Sequence, residues 1–357
     1  MKDQIDIEGI INVNGQSSSE TLLNRDGTPN TQEPILQPYE YLSNLPSNNN
    51  NIRRNFIKEF QKLFFDDKTA YAVNHVYDII SLLHNSSLLI DDIEDNSKYR
   101  RGFPSAHVKY GTALTINCAN LMYFKAMRLA SHLLSRYYLS PDVNVDLQQR
   151  EQDVCDAFEM EMINLHQGQG FDIYWRDYLP ELKVLPTIEE YLRMVQNKTG
   201  GLFRLSVKLL DAFTAKPLPE AELNKVLAIA NLAGIIYQIR DDYLNLVDAR
   251  YSTMKGIAGE DLIEGKLSLP ILMNLRKELH AENSPVHKLL YEFRTSKLRS
   301  KQPELLQQAV KYLHDENTMQ ETHDMLMSCK EKFHTLLEEF GYGSSDLYKL
   351  IERLCDL

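Results

Sequence analysis

The sequence lacks most of what would mark it as secreted, membrane-spanning or metal-stapled. Its four cysteines, Cys118, Cys155, Cys329 and Cys355, show no CxxC spacing. That excludes a zinc ribbon or a disulfide framework and reads as reduced thiols in a cytoplasmic protein. Cys355 stands third from the end, not fourth, so the tail is no prenylation signal. The first ten residues carry charges and no apolar core, so no signal peptide is expected. Uncharged apolar runs stay short: residues 226–239 form one of the longest, at 14 residues. A bilayer needs about 20, so no transmembrane segment is expected. Basic charge is also scarce. With 39 Lys and Arg against 50 Asp and Glu, the net charge is -11, which disfavours nucleic acid and anionic membranes as partners.

Helix breakers are missing over long stretches. Residues 47–101 contain no Gly or Pro, and neither do residues 187–198. Both are filled with helix-forming residues. Phe56, Phe60, Leu63 and Phe64 recur at i, i+4, i+7 and i+8, one face of a helix. No strand alternation persists between turn signals, and no solenoid repeat is visible. The expected fold is therefore all-α, a single-domain bundle of many helices around a central cavity. Residues 1–37, rich in Asn, Ser, Thr and Gln, read as a disordered or loosely attached tail, and residues 38–357 as the domain. Connections are expected near residues 47–51, 138–145, 178–187, 215–220 and 284–303.

What is present in strength is paired acid. Two clusters lie 150 positions apart, each closing an apolar helical run: Asp91, Asp92 and Asp95 in LLIDDIED, and Asp241 and Asp242 in YQIRDDYLN. On a helix Asp91 and Asp95 share a face, with Asp92 about 100° round. Singly, each cluster also resembles a solvated helix end. Facing each other, they make a Mg²⁺ site, because Mg²⁺ is usually held by one or two carboxylates together with substrate phosphates. An acidic protein thereby binds an anionic diphosphate through a layer of cations. A di-iron bundle would need paired ExxH motifs, and the one noted, Glu331 to His334, sits in a charged C-terminal helix. Basic residues lie close by: Arg100-Arg101-Gly102, Lys198-Thr199-Gly200-Gly201 and Gly265-Lys266. They supply phosphate donors without Walker spacing.

These strings, with HNSSLLIDDIEDNSKYRRGFPSAH at residues 84–107, HQGQGFDIYWRD at 166–177, KTGGLF at 198–203 and EDLIEGKLSLP at 260–270, resemble the trans-prenyl diphosphate synthases. The similarity is nearest to eukaryotic geranylgeranyl diphosphate synthases and covers the chain from about Pro38. It implies the isoprenoid synthase fold and a homodimer. It also implies three Mg²⁺ per site, on Asp91, Asp92, Asp95, Asp241 and Asp242. By the same match Arg100, Lys198, Lys255 and Lys266 hold the allylic diphosphate, with Thr199 and Gln238 beside them. Arg53, His84 and Arg101 hold isopentenyl diphosphate. The allylic substrates would be dimethylallyl, geranyl and farnesyl diphosphate. Small Ser86 and Ser87 before the first cluster leave the tunnel open, and Tyr123, Phe124 and His166 form its floor, implying a twenty-carbon product.

The chain departs from the family pattern twice. Residues 47–51 carry no lysine where a Gly-Lys usually precedes the residue matched by Arg53, and the second cluster ends in Asn245. A farnesyl diphosphate synthase, a terpene cyclase and a regulatory subunit without chemistry remain as alternatives. The first usually has aromatics at positions 86 and 87 and a basic tail, the second a different second metal motif, and the third degraded acidic clusters.

Overall fold

The computed structural model describes residues 33–46, 52–137, 146–214, 216–247, 259–277 and 283–357. They are almost wholly helical. In chain order the helices are α1 Gln37–Ser43, α2 Ile52–Phe64, α3 Ala72–Glu94, α4 Ala106–Tyr110, α5 Thr112–Tyr137, α6 Leu147–Asp177, α7 Ile188–Lys198 and α8 Gly200–Phe213. There follow α9 Glu220–Val247, α10 Glu260–Glu264, α11 Leu269–Lys277, α12 Ser296–Arg299, α13 Pro303–Asp315, α14 Thr318–Glu339 and α15 Asp346–Cys355. The breaker-free stretch of the sequence becomes α2 and α3. Residues 187–198 become α7, started by a capping box in which Thr187 and Glu190 satisfy each other's backbone N–H groups.

Helix α3 runs through the middle, packed by α2, α5 and α8. Val76, Ile79, Leu83 and Leu89 of α3 are fully buried. The aromatic face read from α2 is in place: Phe56, Phe60 and Phe64 stack in succession, with centroids 4.2 and 5.4 Å apart, and Phe64 meets Phe340 of the C-terminal region at 5.2 Å. Arg240 on α9 donates to the Leu354 carbonyl at 2.7 Å, tying α15 to the second acidic cluster.

Three helices approach one another with no side chain between them. A Cβ on Gly168 of α6 would lie 2.4 Å from the Lys198 nitrogen, and one on Gly234 of α9 would lie 2.7 Å from the Gly200 Cα. Only hydrogen fits at these points, so α6, the α7–α8 junction and α9 share a backbone contact. The junction carries Lys198 and Thr199.

Helix α3 stops directly after the first cluster in a Schellman motif. Asn96 takes φ +55°, and Ser97 and Asn96 donate to the Asp92 and Ile93 carbonyls at 2.9 and 3.1 Å. A two-stranded hairpin follows, β1 Tyr99–Arg100 with β2 Phe103–Pro104, turned by Arg101 and Gly102 at φ +56° and +81°. It folds both arginines back toward the cluster.

Some expected boundaries shift. Leu36, in the turn Pro34–Leu36, is buried in the core, so packed structure begins shortly before residue 38. The stretch 284–303, expected as a linker, contains a π turn at Lys288–Glu292 and α12. Residues 47–51, 138–145 and 255 lie outside the described residues. Among those described, no helix is long and apolar enough to cross a membrane.

Candidate active site

The two acidic clusters face one cavity of about 570 Å³. Helix α3 delivers Asp91 and Asp95 to its wall, and α9 delivers Asp241. The second aspartate of each pair turns inward: Asp92 and Asp242 are each 1% exposed and do not line the cavity. This follows from the 100° step between neighbours on a helix. Asp92 accepts from Arg100 Nε at 2.7 Å and from Nη2 of the same guanidinium, while its Oδ2 has no hydrogen-bond partner. Asp242 accepts from the Tyr191 hydroxyl, from Gln238 Nε2 at 2.8 Å and from the Leu269 N–H at 2.8 Å.

Burial pushes Asp92 up to about 6, with Asp91 and Glu260 adding to it and Arg100 opposing. Asp95 goes up to about 7 through burial and its neighbour Asp91, against Lys198 and Arg176. Asp242 rises to about 6 through burial, eased by Lys266. Carboxyls raised by burial and by one another at and behind a cavity wall mark a place where bound cations would favour the charged forms. Among the described residues no three acidic, His or Cys side chains converge tightly enough to hold a metal by themselves. An all-oxygen donor set in ones and twos, with a buried Asp92 oxygen unpartnered, suits Mg²⁺ completed by substrate phosphates. It does not suit zinc or iron.

The expected cations surround the acids. Arg100 reaches Asp91 at 3.2 Å as well as Asp92. Lys198 bonds Asp172 at 2.6 Å and lies 3.6 Å from Asp91. Lys266 lines the cavity. Burial works against its charge, but Asp261, Asp172, Asp242 and Glu264 outweigh it and hold the ammonium well above its ordinary value. Thr199 donates to Gln238 Oε1 at 2.7 Å, and Gln238 links on to Asp242. Arg53, His84 and Arg101 come together at another part of the same cavity, beside Tyr237. Arg53 Nη2 donates to His84 Nε2, which therefore carries no proton. Burial and the neighbouring arginines hold the imidazole well below its usual range.

The floor residues divide. Tyr123 and His166 line the cavity in edge-to-face contact, with centroids 6.0 Å apart. Phe124 does not: it is 67% exposed on the outer face of α5. Ser87 lines the cavity, but Ser86 turns into the helix packing, fully buried, with its hydroxyl on the Leu82 carbonyl at 2.6 Å. The placements of Phe124 and Ser86 at the tunnel are thus corrected by the same one-residue rotation. Lys255 and residues 47–51 lie outside the described residues.

The structure adds residues the sequence reading passed over. Gln169, Asp172 and Arg176 follow one face of α6. Gln169 Nε2 donates to Glu94 at 2.8 Å and Asp91 at 3.2 Å. Arg176 pairs with Asp95 and donates to the Glu94 carbonyl at 2.9 Å. The i, i+3, i+7 polar spacing within HQGQGFDIYWRD carried that signal. Tyr191 and Glu260 had none. Asn245 is 3% exposed and caps α10: its Oδ1 accepts from the Asp261 N–H at 3.1 Å, and its carbonyl from the Gly259 N–H at 3.2 Å. It faces the packing and not the cavity.

A sequence model of the polyprenyl synthetase family matches residues 32–313. A geranylgeranyl pyrophosphate synthase of Eremothecium gossypii is 40% identical over 291 residues, covering 81% of this chain and 83% of that protein. One from Hericium erinaceus is 36% identical over 330 residues, 90% of this chain and 91% of that one. One from Hypoxylon pulicicidum is 32% identical over 332 residues, 90% and 75%.

Neutral His84 has a consequence for stability. Its folded-state pKa lies below the ordinary 6.5, so its contribution is complete above that pH. It falls as the pH drops, by about 1.4 kcal/mol per pH unit while the folded imidazole stays neutral. In urea unfolding, wild type should lose stability relative to His84→Gln with nearly this slope between pH 6 and 5, and by less between pH 7 and 6. A pH-independent difference would mean that His84 titrates alike in the folded and unfolded chain.

Proposed function

The chain belongs to the polyprenyl synthetase family, and from that premise we propose that it condenses isopentenyl diphosphate with allylic diphosphates to make geranylgeranyl diphosphate. The observation that carries this is the meeting of two carboxylate-bearing helices on one cavity that is also lined by cationic side chains and by an apolar set. Asp91 and Asp241 stand at the polar end, and Leu88, Ile90, Tyr123, Leu165 and Leu202 lie along the rest. Geranylgeranyl pyrophosphate synthases are also the relatives reported above.

Asp91, Asp95 and Asp241, which line the cavity, would hold Mg²⁺, three ions per site; Asp92 with its unpartnered oxygen lies behind them, and Asp242, already engaged by three donors, braces the wall. When bound, the ions supply positive charge that neutralises the allylic diphosphate and makes it a leaving group. Arg100, Lys198 and Lys266, with Lys255, bind its oxygens as charge-assisted donors. Thr199, fixed by Gln238, stands beside the reacting carbon, and the Asp172 carboxylate aims Lys198. Arg53, Arg101 and the neutral His84 seat isopentenyl diphosphate alongside. The allylic C–O bond breaks with its electrons going to diphosphate. The alkene attacks the resulting cation, and a proton leaves to the released diphosphate. Phe56, Tyr77, Ile80, Phe203 and Tyr237 line the cavity and keep water from the cation.

The twenty-carbon product rests on two placements. Ser87 sits four residues before Asp91, about 6 Å along the helix, and presents only a hydroxymethyl group to the tail. Tyr123 and His166 close the tunnel further on. The protein works as a homodimer in the cytoplasm on this reading. Ile116, Phe124 and Met127 of α5 and Met160 and Ile163 of α6 are each more than a third exposed, an apolar face suited to a second copy.

Asp91→Ala and Asp241→Ala should each cut turnover roughly a thousandfold or more with the helical signal unchanged. Chelation should abolish product formation in the wild type. Retained activity under either treatment excludes the metal mechanism. Chromatographic sizing of products should show carbon chains beyond twenty for Tyr123→Ala and His166→Ala, and a shift to fifteen for Ser87→Phe. An unchanged distribution from active variants would place the floor elsewhere. Light scattering should give twice the 41.3 kDa chain mass, and a monomer at micromolar concentration would remove the dimer from the proposal.

A further inference from the structure

Arg299 belongs to no motif and falls in a stretch whose sequence reads as a linker. It is 5% exposed. Its guanidinium makes no ion pair with a carboxylate among the described residues and is used on three backbone carbonyls: Nε on Ile263 at 2.7 Å, Nη1 on Phe293 at 2.8 Å, and Nη2 on Glu264. Burial and the nearby Arg176 lower it to about 10. The Asp177 and Glu264 charges oppose this only in part, every hydrogen bond of the guanidinium among the described residues goes to a carbonyl, and an apolar residue would fill ordinary core with less penalty. The geometry explains its presence. Ile263 and Glu264 are the last residues of α10, and the guanidinium lies flat against the next residue. A Cβ on Gly265 would be 2.5 Å from Nη2 and 2.7 Å from Cζ, and Gly265 takes φ +83°. The residue after that is Lys266, which lines the cavity.

Helix α10 has five residues, too few to hold its own shape. It is gripped from outside at both ends, by Asn245 at its start and by Arg299 at its finish. We propose that Arg299 is a positioning residue for Lys266. By pinning the Ile263 and Glu264 carbonyls and presenting a flat face to Gly265, it fixes the point from which Lys266 reaches the allylic diphosphate. Lysine cannot replace it, because one ammonium cannot bond three divergent carbonyls in a plane. The inference rests on the assignment of Lys266 to that diphosphate.

The test compares wild type, Arg299→Lys, Lys266→Met and the double variant. Arg299→Lys should raise the apparent KM for farnesyl diphosphate tenfold or more while leaving that for isopentenyl diphosphate within twofold. Lys266→Met should do the same, and the double variant should be no worse than Lys266→Met alone. Calorimetric binding of inorganic pyrophosphate with Mg²⁺ should weaken in parallel. A purely structural role lowers the melting temperature and the active fraction without separating the two KM values. Equal effects on both substrates, an unchanged allylic KM, or full additivity with Lys266→Met overturns the proposal. Should Arg299→Lys fail to fold, Gly265→Ala displaces the same guanidinium from the other side and must give the same split. A wild type that binds pyrophosphate yet forms no prenyl product would refute the synthase reading and leave the pyrophosphate comparison to judge Arg299.

Discussion

Everything at this site depends on keeping buried carboxylates compensated while they face one another. Leaving one buried charge without its partner costs about 3–5 kcal/mol, a large part of a domain's stability. The chain meets this with cations set against most of the acids, some of them shared with Asp91. Arg100 sits on Asp92, Arg176 on Asp95, Lys198 on Asp172, and Arg204 with Lys208 on Glu161. Asp242 draws instead on a tyrosine, a glutamine and a backbone N–H. The arrangement divides each aspartate pair into an inward member that holds the wall together and an outward member that meets the cavity. A net charge of -11 is compatible with anionic substrates because the cations of the chain are gathered where the acids are.

Much of this was legible in the sequence because the relevant signals are local. Breaker-free runs gave α2, α3 and α7, and acids at helical spacing marked both ends of the site. What was not legible depends on rotation and on distance along the chain. Phe124 and Ser86 each neighbour a residue that does line the cavity, and α5 and α3 are apolar on more than one side. Periodicity therefore does not say which of two adjacent positions faces inward. Tyr191 and Arg299 serve residues dozens of positions away, through a carboxylate or a carbonyl that no spacing rule connects to them. Asn245 illustrates the converse. It stands in the acidic cluster as a departure from the family pattern, whereas its amide oxygen caps a helix.

The cavity separates two kinds of work along one axis. Its polar end is built largely from residues held by hydrogen bonds and ion pairs, so a misplaced atom there loses both stability and chemistry. Tyr123, Leu165 and His166 line another part of the cavity, with His166 bonded to the Met162 carbonyl at 2.8 Å.

The close approaches of Gly168 to Lys198 and of Gly234 to Gly200 give that separation a further consequence. A contact between main chains offers no side chain to enlarge or shrink by degrees, so descendants of this sequence find almost no neutral steps there. Tyr123 and its neighbours sit among ordinary packing contacts, where single substitutions are survivable. New chain lengths can thus arise and be lost within a lineage while the ionising end stays unaltered, the two ends of one cavity keeping different evolutionary clocks.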